Sequence, residues 1–324
     1  MIEYPTENIF SQRVVFLKLE GIYAPVPTPF ESGGAGCIDF AAFRENMLKW
    51  AGSSLDGLVI CGSNGELPFT SESERAFLTS AAKKILSELK SSKKVITGAF
   101  QQTTKDTVSC CASASRAGAD AVLLLPPHYF KGQGERAAAR FFMDVADASP
   151  IPVVLYNMPA NTGVDMSAEA ILDLAAHPNI IGVKDTSGNM TKFAYLASAS
   201  DRPGLDFSVF CGSGNYFLPA LSLGAAGGTL AVANLYPESC RKLLDAYRNG
   251  STKEATLLQR RLLLASDAVT ARFGIPGLKA AMDRAGLYGG PSRKPLLPLG
   301  KDEALKLEAM LEEADLDSFE TWRL

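Results

Sequence analysis

Eight short apolar runs, separated by longer stretches of helical spacing, constrain this chain more than any other feature. The runs are IYAPVPTPF (22–30), GLVICG (57–62), VITGAF (95–100), AVLLLPP (121–127), PVVLYNM (153–158), IIGVKD (180–185), FSVFCG (207–212) and GTLAVANL (228–235). Strands this continuously apolar are buried on both faces, as in a parallel sheet covered by helices. Helical spacing falls at Ala41 to Trp50, Glu74 to Leu89, Thr103 to Ala117 and Ser167 to Ala176. Ser71-Glu72-Ser73-Glu74 reads as a capping signature and Ser167 as a cap. Eight such units predict an α/β chain folded as a (β/α)8 TIM barrel over residues 21–235. The competing open, doubly wound sheet lacks its glycine fingerprint, because GGAG (33–36) leads into an ordinary acidic helix start.

After Leu235 the strand pattern stops. Helices are expected at Glu238 to Arg248, Lys253 to Val269, Ile275 to Ala285 and Asp302 to Glu313, so residues 236–324 form a C-terminal helical portion. The run LLLAS (262–266) is too apolar to stand free and must pack on the barrel or on another subunit. Residues 1–20 read as an N-terminal extension packed on the surface or on a partner. Its early acidic residues and short apolar run, Val14 to Leu17, do not suit a signal peptide and make a weak transit peptide. A cytoplasmic location is expected, with a mitochondrial one left open. No stretch approaches the ~20 apolar residues of a membrane span. The net charge of −3 with 21% charged residues gives no polybasic surface for nucleic acid or anionic membrane. Cys37, Cys61, Cys110, Cys111, Cys211 and Cys240 show no CxxC spacing and read as free, mostly buried thiols of a reducing compartment. With only His128 and His177, little remains for an imidazole-based metal site, and none is expected.

In barrels of this kind the chemistry collects at the C-terminal ends of the strands. Those ends here are Gly62-Ser63-Asn64-Gly65-Glu66, Pro127-His128-Tyr129, Tyr156-Asn157-Met158-Pro159, Lys184, and Cys211-Gly212-Ser213-Gly214. Lys184 closes a buried-looking strand, where an ammonium is costly. It is either paired, with Asp185 as the nearest partner, or driven toward its neutral amine, a nucleophile for ketones. Tyr156, one βα unit earlier, is either a packed aromatic or a proton relay aimed at the same substrate carbon. Gly62-Ser63-Asn64-Gly65 is a tight turn whose N–H groups suit a carboxylate. Gly212 and Ser213 either line the pocket or turn the chain. Cys61 and Cys211 read as packed thiols, His128 as structural, and Glu66 as a structural hydrogen-bonding group near the turn.

GSNGE (62–66), Pro127-x-Tyr129, YNMPANTG (156–163) and GVKDTSG (182–188), in this order, resemble the dihydrodipicolinate synthase / N-acetylneuraminate lyase family of pyruvate-handling class I aldolases. The resemblance runs from Gly21 to Leu299 and includes FGIPGLKAAMDRAGLYGG (273–290). It implies that Lys184 forms a Schiff base with a 2-keto carbon and that Tyr156 is the acid/base group. Ser63 joins it in a proton relay and, with Asn64, binds the pyruvate carboxylate beside Gly62. Tyr129 matches the tyrosine that reaches into the neighbouring site across a tight dimer, so a homo-oligomer, a dimer of dimers, is implied. Thr186 lies where relatives meet the distal part of the substrate. Dihydrodipicolinate synthases carry an arginine where this chain has Asn161, and an amide cannot make a bidentate carboxylate clamp.

The expected activity is therefore cleavage of a 2-keto-4-hydroxy acid, 4-hydroxy-2-oxoglutarate first, to pyruvate and an aldehyde, without cofactor or metal. A 2-keto-3-deoxy-hexonate aldolase comes second and dihydrodipicolinate synthase third. A non-catalytic ligand-binding paralogue is the alternative of another class. A pyridoxal phosphate lysine is disfavoured, because no phosphate cradle accompanies Lys184.

Overall fold

The computed structural model describes residues 17–33, 36–198 and 204–316. Among these, eight parallel strands close a barrel in chain order: β1 (Gly21–Pro25), β2 (Gly57–Ile60), β3 (Lys94–Gly98), β4 (Ala121–Leu124), β5 (Val153–Asn157), β6 (Ile180–Asp185), β7 (Ser208–Cys211) and β8 (Gly227–Thr229). β8 pairs back onto β1, with Tyr23 opposite Thr229. Around the barrel lie α1 (Phe40–Gly52), α2 (Glu72–Glu88), α3 (Thr104–Arg116), α4 (Gly134–Ala148), the single turn α5 (Pro159–Thr162), α6 (Ala168–Leu174), α7 (Met190–Ala197), α8 (Phe217–Ser222) and α9 (Pro237–Arg248). Then come α10 (Thr252–Asp267), a π-helical turn (Ala268–Arg272), α11 (Gly274–Arg284) and α12 (Lys301–Ala314). The (β/α)8 expectation is met.

Several boundaries differ from the sequence pattern, each for a physical reason. The first run was expected to reach Phe30, but β1 ends at Pro25, because Pro25, Pro27 and Pro29 remove backbone donors that a ladder needs. The eighth run leaves the sheet after Thr229 and becomes a 3-10 turn, Ala231–Asn234. Asn234 explains the departure: its Nδ2 donates to the Pro25 carbonyl (3.0 Å), while its own carbonyl accepts from Trp50 Nε1 (3.2 Å). α2 starts two residues earlier than expected, because Ser71 is the N-cap and Glu74 completes a capping box with it. Ser167 caps α6 as expected, accepting from Ala170 N. Of the proposed N-terminal extension, residues 1–16 lie outside the described residues; Leu19 is buried under the barrel core.

The interior is filled by side chains from every strand. Tyr23 of β1 meets Phe210 of β7 edge to face, with ring centroids 5.4 Å apart. Gly98 permits a close approach that a side chain would forbid, since a Cβ there would lie 2.0 Å from the Cys61 carbonyl oxygen. Cys61, Cys111 and Cys211 are buried free thiols whose pKa burial pushes up to about 12, as expected for packing groups. No helix among the described residues is long and apolar enough to cross a membrane.

The helices beyond the barrel are fastened to it by polar contacts. Asn46 of α1 exchanges two hydrogen bonds with the backbone of Tyr288 (2.7 and 2.9 Å), and the Tyr288 hydroxyl donates to the Phe30 carbonyl (3.0 Å). Arg293 donates through both terminal nitrogens to the Glu74 carboxylate, one bond at 2.9 Å. The Arg293 guanidinium brings the Glu74 carboxyl from 4.5 to about 2, against the upward push of partial burial and with help from Ser71. A depressed carboxylate stabilises the fold fully above the unfolded value, and its contribution disappears as the pH falls from 4.5 through about 2. Glu74→Gln should therefore flatten the fall in melting temperature across that window. Unchanged steepness in a pH series of thermal melts would show that the pair contributes nothing to acid stability.

Candidate active site

β5 and β6 pair in a register that sets Tyr156 beside Lys184 and Asn157 beside Asp185. Because successive residues of a strand face opposite ways, each pair shares a face and the two pairs are turned apart. Tyr156 and Lys184 turn inward. Lys184 Nζ lies over the Tyr156 ring, 4.1 Å from its centroid, and the residues are only 5% and 4% exposed. Ser63, from the loop after β2, reaches them across the barrel mouth: its Oγ is 3.3 Å from the Tyr156 hydroxyl. Thr186 stands beside the same group, donating its hydroxyl hydrogen to the Asn157 carbonyl (3.0 Å). Burial alone would raise the Tyr156 pKa. The Lys184 charge and the hydrogen bond with Ser63 outweigh it, and the phenol ends below its ordinary value.

Asp185 and Asn157 turn outward, toward the helices. Asn157 Nδ2 donates to Asp165 (2.8 Å) and to Asp185 (2.9 Å), and Asp185 also accepts from the Ser187 backbone (2.9 Å) and hydroxyl (2.6 Å). Buried Lys192 of α7 pairs with Asp165 and stands 3.5 Å from Asp185. Asp185 is thus engaged elsewhere, and the simple pairing of Lys184 with its neighbour does not occur. This network was not anticipated from the sequence, although strand alternation carries the signal.

Other expected site residues gather less closely. Gly212 lies against Thr186, since a Cβ there would sit 2.7 Å from Thr186 Oγ1 and 2.8 Å from the Asp185 carbonyl oxygen. Ser213 accepts from Asn215 N (3.2 Å) and caps a 3-10 turn, a turn-forming role. Gly62 is buried and its carbonyl accepts from Leu67 N (3.2 Å). Asn64 is half-buried in the same loop. Asn161 is exposed on α5, its backbone N–H bonded to the Met158 carbonyl (3.1 Å). Tyr129 is not brought to the Lys184 group within the chain: it is 75% exposed, beside Phe130 at 76%. His128 is stacked on Phe100 at 5.3 Å and bonded to Gln102 (3.0 Å). Among the described residues, no group of three or more His, Cys, Asp or Glu side chains is placed to hold a metal ion.

An amine, a phenol and a hydroxyl gathered in this way can form an imine with a ketone and move a proton beside it. A model of the dihydrodipicolinate synthetase family matches residues 18–314. The Emericella nidulans protein named "Probable 4-hydroxy-2-oxoglutarate aldolase, mitochondrial" is 36% identical, over 92% of this chain and 96% of its own. The L-threo-3-deoxy-hexylosonate aldolase of Hypocrea jecorina is also 36% identical, over 91% and 95%. Among solved structures, a dihydrodipicolinate synthase of Bacillus anthracis superposes with a TM-score of 0.84 at 26% identity, covering 90% of this chain and 97% of that one.

Proposed function

The chain belongs to the dihydrodipicolinate synthetase family and is a lysine-dependent carbon–carbon lyase, and we propose that it cleaves 4-hydroxy-2-oxoglutarate to pyruvate and glyoxylate. The observation that carries the chemistry is the Lys184–Tyr156–Ser63 cluster, with Nζ 4.1 Å from the phenol ring centroid and Ser63 Oγ 3.3 Å from its hydroxyl. Lys184, as free amine, adds to the C2 carbonyl, and the Tyr156 phenol gives its proton to the carbinolamine hydroxyl, which departs as water and leaves an iminium. Tyr156, as phenolate, takes the proton of the C4 hydroxyl. The C3–C4 bond breaks, its electron pair passing into the iminium to give an enamine, and the aldehyde departs. Protonation of the enamine at C3 and hydrolysis release pyruvate and the free amine. Ser63 relays protons to Tyr156, and Ser63 and Asn64 with the Gly62 backbone hold the substrate carboxylate. Thr186, Gly212 and Ser213 border the distal half of the substrate.

The name borne by the Emericella relative favours this substrate, and Asn161, standing where a synthase would need a guanidinium, speaks against the synthase reaction alone. The Hypocrea relative, at equal identity, supports a second reading, cleavage of a 2-keto-3-deoxy-hexonate. Each can be offered separately, with pyruvate followed through lactate dehydrogenase. Cleavage of 4-hydroxy-2-oxoglutarate at least about tenfold faster in kcat/KM, a gap of about 1.4 kcal/mol, is expected. The reverse ranking would replace the first reading with the second.

The exposed, edge-on pair of Tyr129 and Phe130, 4.9 Å apart, is apolar surface that a partner would cover. We read the working form as a homo-oligomer, a dimer of dimers, in which Tyr129 enters the neighbouring site. Full activity in a particle of monomer mass would exclude it.

A further inference from the structure

The loop carrying Ser63 and Asn64 is bracketed by two non-glycine residues in left-handed backbone conformation, Cys61 (φ 51°) and Glu66 (φ 59°). Such conformations are costly for a residue with a side chain and persist where surroundings enforce them. For Glu66 the enforcement comes from beyond the barrel. Its carboxylate is fully buried, 2.6 Å from Lys279 Nζ of α11, and its other oxygen accepts the Arg293 backbone N–H at 2.8 Å. Lys279 is equally buried, donates to the Pro291 carbonyl (2.8 Å) and lies over the Phe30 ring, 4.6 Å from its centroid. Glu66 is tied directly to the site by backbone: its N–H donates to the Ser63 carbonyl (3.0 Å), and the next residue, Leu67, donates to Gly62. Thr28 donates to the Gly65 carbonyl on the same side of the loop (2.7 Å). A buried ion pair is a weak device for stability, because desolvation offsets most of the attraction. It is a strong device for fixing one geometry.

We propose that Glu66 and Lys279 are a positioning pair, through which the helices after the barrel hold the Ser63–Asn64 loop at the angle that receives a 2-keto acid's carboxylate. The proposal rests on the aldolase reading above. Neither side chain enters the reaction; they act through the loop backbone. Misplacement of binding groups by about 1 Å can cost about 10²-fold, so the effect should appear in substrate affinity.

The test is pyruvate-dependent borohydride trapping of wild type, Glu66→Gln, and the double variant Glu66→Gln/Lys279→Met, which removes both charges so that neither is left buried alone. Thermal melts accompany each. Half-saturating pyruvate is expected to rise about 10- to 100-fold in the folded variants, while the trapping rate at saturation stays within about threefold. A merely structural pair would lower the melting temperature and leave half-saturation where it was. That result, in either folded variant, overturns the proposal. Failure of both variants to fold would also overturn it, since the pair would then be a folding determinant. If wild type itself forms no adduct at Lys184, the aldolase reading falls and takes this proposal with it; an adduct in wild type with unshifted variants removes the positioning role alone.

Discussion

Lys184→Arg is expected to give a folded barrel that forms no borohydride-stable adduct with pyruvate and has lost about 10³-fold or more in kcat. The substitution is chosen because it keeps the positive charge over the Tyr156 ring, where Nζ now lies 4.1 Å from the centroid. It therefore separates electrostatics from nucleophilicity. A guanidinium stays protonated at any pH the protein survives, so it has no lone pair to offer a ketone. The Tyr156 phenol should still feel a cation, and the fold should still bury one at the end of β6. Peptide mapping of the reduced wild type should place the pyruvate adduct on Lys184. An adduct on another lysine, or activity in the arginine variant within about tenfold of wild type, would remove Lys184 as the nucleophile.

Tyr156→Phe should follow in size, with kcat falling by about 10²- to 10⁴-fold, the range general acid–base groups contribute. The ring itself would remain packed, so stability should change little. The pH dependence carries the sharper information. The Tyr156 phenol is buried, which raises its pKa, yet the Lys184 charge and the hydrogen bond with Ser63 bring it below the ordinary tyrosine value of 10.0. Removing the Ser63 hydroxyl deletes one of the lowering contributions, so in Ser63→Ala the Tyr156 ionisation must move to higher pH. The corresponding limb of the kcat profile should shift alkaline, with a smaller loss of rate than in Tyr156→Phe. A limb that stays in place in Ser63→Ala would sever Tyr156 from that step.

The barrel was legible because its strands are apolar on both faces, and eight such runs leave few alternatives. The ends of the strands were less so. Prolines 25, 27 and 29 sit inside a run that hydropathy alone extends to Phe30, and their missing donors decide where β1 stops. Lys184, Tyr156 and Ser63 could be nominated from position at strand ends, and the structure brings them within reach of one another. The partner of Lys184 could not be nominated by proximity in the chain, because Asp185 next to it faces the opposite side of the sheet and bonds Asn157, Ser187 and Lys192. Glu66 was readable as a structural residue. Its cation was not, since Lys279 arrives from the far end of the chain and no local pattern announces it. Tyr129 is not joined to the Lys184 group by its own chain, where it stands exposed beside Phe130.

The alternation along β6 has a consequence for how such a chain can change over time. One residue separates a nucleophilic amine in the barrel from a carboxylate embedded among Asn157, Ser187 and Lys192. A single-codon insertion or deletion within β5 or β6 would exchange those two faces, stranding the amine among helices and burying an acid in the pocket. The stretches of strand that carry this pair therefore admit substitution more readily than a change of length.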